Sequence, residues 1–152
     1  MLYNLRRRMA VLAVVVATLS AVLLGSTEGQ ARLAKWFGQL TTVEVECDTF
    51  CTQGTLTGGL AGTLHWRMDE MQETDVPNVM YAVGVNTITT DRGTLEGTDY
   101  LLWNIDTGEF VDFTIISKGT GDYAGKRGTL TIVGVFDPVA AQGSSNYIAL
   151  VH

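Results

Sequence analysis

The chain has 152 residues, with 10 Lys and Arg against 16 Asp and Glu, a formal net charge of −6. That length supports one domain with a core of its own. An acidic chain without a basic stripe argues against nucleic acid, which is bound through clustered Lys and Arg, and the same deficit argues against an anionic membrane surface.

Residues 1–31 read as a signal peptide. Arg6, Arg7 and Arg8 precede an uncharged, mostly apolar run from Met9 to Gly25, and Gly29-Gln30-Ala31 supplies small residues at the two positions a signal peptidase reads. The alternative is an uncleaved anchor, but a spanning helix wants about 20 apolar residues and this run is shorter. Export makes the protein secreted or periplasmic, with no membrane association after cleavage. Loss of residues 1–31 leaves 7 basic and 15 acidic residues, a net charge of −8.

Residues 32–40 read as a helical or irregular lead-in to a β-barrel domain over 41–152. Cys47 and Cys51 follow within C-D-T-F-C. In an exported protein the pair is expected to form a disulfide closing a small loop. Two free thiols are the plain alternative. Zinc would need four ligands, with only His65 and His152 to add, and a redox C-x-x-C has two intervening residues where this chain has three.

The remainder reads as strand after strand: Thr41–Cys47, Thr55–Met71 (broken near Gly58-Gly59), Val79–Thr90, Thr94–Ile105, Glu109–Lys118, Gly128–Phe136 and Asn146–Val151. Turn-forming residues separate them at 91–93, 106–108 and 119–128. Closely spaced strands joined by hairpins predict an all-β antiparallel sandwich or closed barrel. Several strands are apolar on both faces. Leu130, Ile132 and Phe136 oppose Val133 and Val135, and Phe110 and Ile116 oppose Val111, Phe113 and Ile115. A barrel buries one face in its lumen, so the other is expected to be covered by a second copy of the chain, the alternative being a two-sheet fold with some strands covered by the lead-in.

Sites of chemistry are sparse. Asp106-Thr107-Gly108 has the D-T-G pattern of an aspartic protease, but Glu109 follows it and the residues suit a hairpin turn. Near Gly125-Lys126 the P-loop pattern fails at both ends, at Thr120 and at Arg127. His65 alternates with Trp66, so if Leu64, Trp66 and Met68 point inward, His65, Arg67 and Asp69 form a solvated face. The acidic group Asp69, Glu70, Glu73 and Asp75 lacks calcium-loop spacing, and no metal site is expected. Asp99 is the candidate catalytic residue, because it falls among Leu95, Gly97, Leu101, Trp103 and Ile105. On that face its pKa would rise and it could act as a general acid or base. The competing expectation is a bulge near Gly97-Thr98 that turns it outward. Trp66, Tyr81 and Trp103 are candidate ligand-binding walls, or else core filling.

The run I-I-S-K-G-T-G-D-Y-A-G-K-R-G-T-L-T-I-V-G-V-F-D, ending at Asp137, resembles the allene oxide cyclase and dirigent-like barrel group, whose hairpin reads G-G-T-G-x-[YF]-x-G-x-x-G before a strand ending G-x-F-D. Lys118 stands for the first glycine. The segment T-Q-G-T-L-T-G-G-L-A-G-T-L-H-W, ending at Trp66, is similar to a strand opening in exported bacterial barrels of this type. The resemblance implies an eight-stranded calycin-like antiparallel barrel with a lumen, often trimeric, using no metal or organic cofactor. Plant members cyclise an unsaturated fatty-acid epoxide or steer phenolic radical coupling, and their acidic and amide site residues have no match here. The expected function is lumenal binding of a small apolar or amphipathic molecule. The alternatives are a cofactor-free cyclase or isomerase, and a structural, envelope-associated oligomer with a solid interior.

Overall fold

A computed structural model describes residues 33–152; residues 1–31, expected to be a signal peptide, lie outside the described residues. Eight strands run in order: β1 (Ala34–Val45), β2 (Cys51–Leu56), β3 (Gly62–Glu73), β4 (Val79–Thr90), β5 (Gly93–Asn104), β6 (Glu109–Gly119), β7 (Gly128–Asp137) and β8 (Gln142–Val151). Each pairs antiparallel with the next, and β1 pairs with β8. The all-β antiparallel barrel is therefore observed.

The lead-in expected over 32–40 is instead the first two-thirds of β1. Closure demands it: β1 holds β8 from Ala34 opposite Val151 to Val43 opposite Gln142. The stretch reads poorly as a strand because the outward Phe37 is apolar and the inward Ala34 and Gly38 are small, which blurs the alternation of Lys35 and Gln39 with Trp36 and Leu40.

Inward residues follow the two-residue period around the barrel, with Leu40, Leu56, Leu64, Ile88, Leu95, Ile116, Leu130, Ile132 and Tyr147 in one cluster, each 3 % exposed or less. Eight strands leave an interior just wide enough for side chains to fill or for one small ligand. One end is sealed by two similar turns, Thr57-Gly58-Gly59-Leu60-Ala61-Gly62 and Thr120-Gly121-Asp122-Tyr123-Ala124-Gly125. In each an extended Thr leads into a left-handed glycine (Gly58 φ 82, Gly121 φ 59), and a 3-10 turn drops Leu60 or Tyr123 into the barrel. Only glycine takes that φ without Cβ strain, which accounts for Gly121 in the 119–128 cluster. Tyr147 locks the first plug, its hydroxyl accepting from the Leu60 N–H (2.9 Å) and donating to the Thr57 carbonyl (2.7 Å). The opposite end carries the 46–50, 74–78, 105–108 and 138–141 connections, and the lumen stays partly open there.

Outside, the molecule is two-sided. Over β4–β8 the middle outward positions carry no charge. They are Tyr81, Val83 and Val85, then Tyr100 and Leu102, then Val111, Phe113 and Ile115, then Val133 and Val135, then Ile148. Phe113 is 42 % and Val133 55 % exposed. On β2 and β3 the outward residues are polar instead, with Gln53, Thr55, Thr63, His65 and Arg67 in exposed positions. His65 and Arg67 thus lie on the solvated face expected of them, and Arg67 pairs with Asp69 at 3.0 Å.

Candidate functional site

Asp99 points into the barrel and is fully buried. The register does shift near Gly97, but the extra residue is on β6: Glu96 faces Lys118 and Gly97 faces Ile116, so Ser117 is the unpaired one. Strand β5 keeps its period, and the outward turn weighed for Asp99 does not occur. Two inward glycines make room beside it. A side chain at Gly84, which faces Asp99 across β4–β5, would strike the Trp66 indole nitrogen, and one at Gly97 would strike the Thr114 methyl.

Three donors converge on Asp99. Trp66 Nε1 donates to Oδ2 at 2.7 Å, and Asn86 Nδ2 (3.0 Å) and Thr114 Oγ1 (2.8 Å) donate to Oδ1. Acceptance alone is the hydrogen-bonding demand of a carboxylate. Asn86 Nδ2 also donates to Thr114 Oγ1 at 2.7 Å. Each donor comes from a different strand, β3, β4 or β6, so the network forms only when the barrel closes.

Asp112 on β6 is the second carboxyl, 7 % exposed, with its Oδ1 3.4 Å from Thr114 Oγ1. A hydroxyl has one hydrogen, and the shorter contact to Asp99 takes it. The Asp112–Thr114 contact is then filled only when Asp112 carries a proton and donates. Electrostatics agree: burial, and next the Asp99 carboxylate beside it, push the Asp112 pKa well above the ordinary value, while the Asn86 and Thr114 donors pull weakly the other way. Asp112, Thr114 and Asp99 form a line running from the lumen into the wall.

A cavity of about 60 Å³ lies against Asp112, walled by Leu64, Leu101, Ile132 and a ring of aromatics: Phe50, Trp66, Trp103, Phe110 and Phe136. Thr42 and Thr52 add hydroxyls. An adjoining pocket of about 120 Å³ shares Phe50, Trp66, Leu101 and Trp103 and continues past Met68, Met71 and Met80. Met71 reaches it because Asp69 is an extra residue in β3, which resets the inward face from Met68 to Met71. Phe50 sits over the open end in edge-to-face contact with Trp66 (5.9 Å) and Phe136 (6.0 Å), and Trp103 meets Phe136 at 6.2 Å.

Phe50 is held there by the disulfide between Cys47 and Cys51, whose five-residue loop contains it. The Phe50 carbonyl accepts from Met68 N–H (2.9 Å), and the Thr49 hydroxyl donates to the Met68 carbonyl (2.8 Å).

Of the residues expected at a site, Trp66 and Trp103 line the cavity. Tyr81 does not: it faces outward on β4, opposite Leu102, because Ala82 and Asn86 define the inward phase of that strand. Asp99 is near the cavity but behind its wall, and the carboxyl that reaches it is Asp112. Asp112, Thr114 and Asn86 were missed. Asp112 and Thr114 lie between Phe110 and Ile116 on one two-residue period, and that period was the available signal. The D-T-G segment is a turn: Asn104 Oδ1 accepts from the Asp106 and Thr107 N–H groups (3.0 and 3.2 Å), and Gly108 is left-handed (φ 75). Among the described residues, no group of three or more His, Cys, Asp or Glu could hold a metal ion, and no helix is long and apolar enough to cross a membrane. Comparison with known protein families and with curated proteins gives no match for this chain.

Proposed function

We propose that the protein is an exported barrel that binds a small apolar or amphipathic molecule in its lumen. The observation that carries this reading is an aromatic cavity, open at one barrel end, whose wall presents a single carboxyl group. Ligand sites combine apolar walls with few polar groups in this way. The disulfide suits an oxidising compartment, and the likeness of the 119–137 hairpin to allene oxide cyclase and dirigent-like barrels points to the same use of a lumen. A second reading, cofactor-free isomerisation or cyclisation, is favoured by the Asp112–Thr114–Asp99 line, which could supply a proton to a bound molecule and replace it from behind. 1-Hexanol is expected to change the Trp66 and Trp103 fluorescence saturably, and Leu101→Phe, which fills the cavity, to weaken it about tenfold. A linear, non-saturating response to both 1-hexanol and n-hexylammonium would sink the lumenal reading.

The chain is also proposed to self-associate through β4–β8. A closed barrel offers no free strand edge, so association must be face to face. The uncharged outer band covers only part of the circumference, whereas a membrane-spanning barrel needs an apolar belt all round. Phe113→Asp, at the centre of the band, is expected to convert the assembly to monomer in sedimentation velocity, because an unpaired charge there must be desolvated on association. A wild-type monomer at high concentration would remove this reading.

A further inference from the structure

Asp99 and Asp112 are two buried carboxyls with no basic partner. The ion pairs among the described residues, Arg67–Asp69, Arg92–Asp122 and Lys118–Glu96, all lie on the surface. Asp112 lies opposite Leu101 and Ile132 on the flanking strands and beside Asn86, Thr114 and Asp99, and the remaining cavity-lining side chains are apolar, aromatic or threonine. Asp99 is the only ionisable one, and it is an acid. With no base in reach, a proton on Asp112 is what relieves the repulsion between the two acids. That proton is directed at Thr114, and Thr114 is the only hydrogen-bond partner within 3.5 Å of the Asp112 carboxyl among the described residues. Its second oxygen is left as a bare acceptor on a cavity-lining, nine-tenths buried side chain.

Aromatic faces attract cations, most strongly when the site is desolvated, and Trp does so best. The geometry points to an organic ammonium ion with an apolar tail as the ligand of this lumen, its head on Asp112 between Trp66 and Trp103 and its tail in the adjoining pocket. This deepens the lumenal-binding reading and rests on it. On binding, the Asp112 carboxyl releases its proton to solvent, and the resulting carboxylate pairs with the ammonium, so the net charge of the lumen does not change. A neutral amphipath leaves the proton in place. The size suits a slender primary amine: the head cavity of about 60 Å³ takes few heavy atoms, and the apolar pocket of about 120 Å³ takes a short chain.

The probes are n-hexylammonium and 1-hexanol, measured by titration calorimetry on the mature protein in two buffers of different ionisation enthalpy. Hexylammonium is expected to bind at least about tenfold more tightly than hexanol once Asp112 is ionised, and at pH values below that ionisation to bind with release of about one proton. Its affinity should rise about tenfold per pH unit until Asp112 is ionised without ligand, while that of hexanol stays flat. Asp112→Asn is expected to bring the amine to the level of the alcohol. Hexanol binding as tightly as the amine, or amine binding without proton release, would overturn the ammonium assignment and leave the lumenal reading standing. Binding of neither probe would overturn both.

Discussion

Asp99→Ala is expected to lower the unfolding free energy by about 4 kcal/mol. The change takes the shared acceptor from three buried donors, Trp66 Nε1, Asn86 Nδ2 and Thr114 Oγ1, of which Trp66 Nε1 is left with none. A buried donor without an acceptor costs about 1–3 kcal/mol, and water entering the vacated space recovers part of the sum. For a barrel of this size the melting temperature should fall by about 15 °C. Asp69→Ala is the matched control. It removes an exposed, ion-paired carboxylate and should cost no more than about 0.5 kcal/mol. Urea unfolding of both variants decides the matter, and a loss below about 1.5 kcal/mol for Asp99→Ala would mean that the network is not what holds the strands at this level.

Asp112→Asn should act in the opposite direction, and only above acid pH. The folded protein holds the Asp112 proton to a higher pH than the unfolded chain, where an Asp releases it near about pH 3.9. Between those two values the native state binds more protons than the unfolded state, so stability falls as pH rises. The loss is absent below the unfolded value and complete above the folded one. It amounts to about 1.4 kcal/mol for each pH unit that separates them. Asn keeps a donor for Thr114 and has no proton to lose. The variant is therefore expected to match wild type near about pH 3.5 and to exceed it at neutral pH, with a flatter stability profile. Equal profiles for the two proteins would show that Asp112 is not held protonated by its surroundings, and the charge argument for an ammonium ligand would fall with it.

The two carboxyls thus differ because of their neighbours. Asp99 takes every donor in reach, and Asp112 is left with burial and a negative neighbour. The fold thus leaves one acidic group facing a cavity and one behind it.

Much of this protein is legible in one dimension. The strand from Val79 to Thr90 has the bounds its residues imply, and Gly128–Asp137 exceeds the expected end by one residue, because β-branched and aromatic runs between turn formers are local signals. The Cys47–Cys51 bond follows from a spacing that brings the two Cα atoms within 6.1 Å. The face that carries Asp99 is readable from the period of two, and so was the face of Asp112, although Phe110 and Ile116 drew the attention there. What pattern alone leaves open is the choice of face wherever both are apolar. Tyr81 and Trp66 are equally suited to a lumen by composition, and only the phase imposed by strand pairing places one outside and the other inside. Closure is the other decision made in three dimensions. Ala34–Leu40 is a strand because β8 needs a partner, a demand set by residues more than 100 positions away and invisible in the local sequence. The donors around Asp99, brought from β3, β4 and β6, have the same origin: hydrogen-bond partners distant in sequence meet only when the barrel closes.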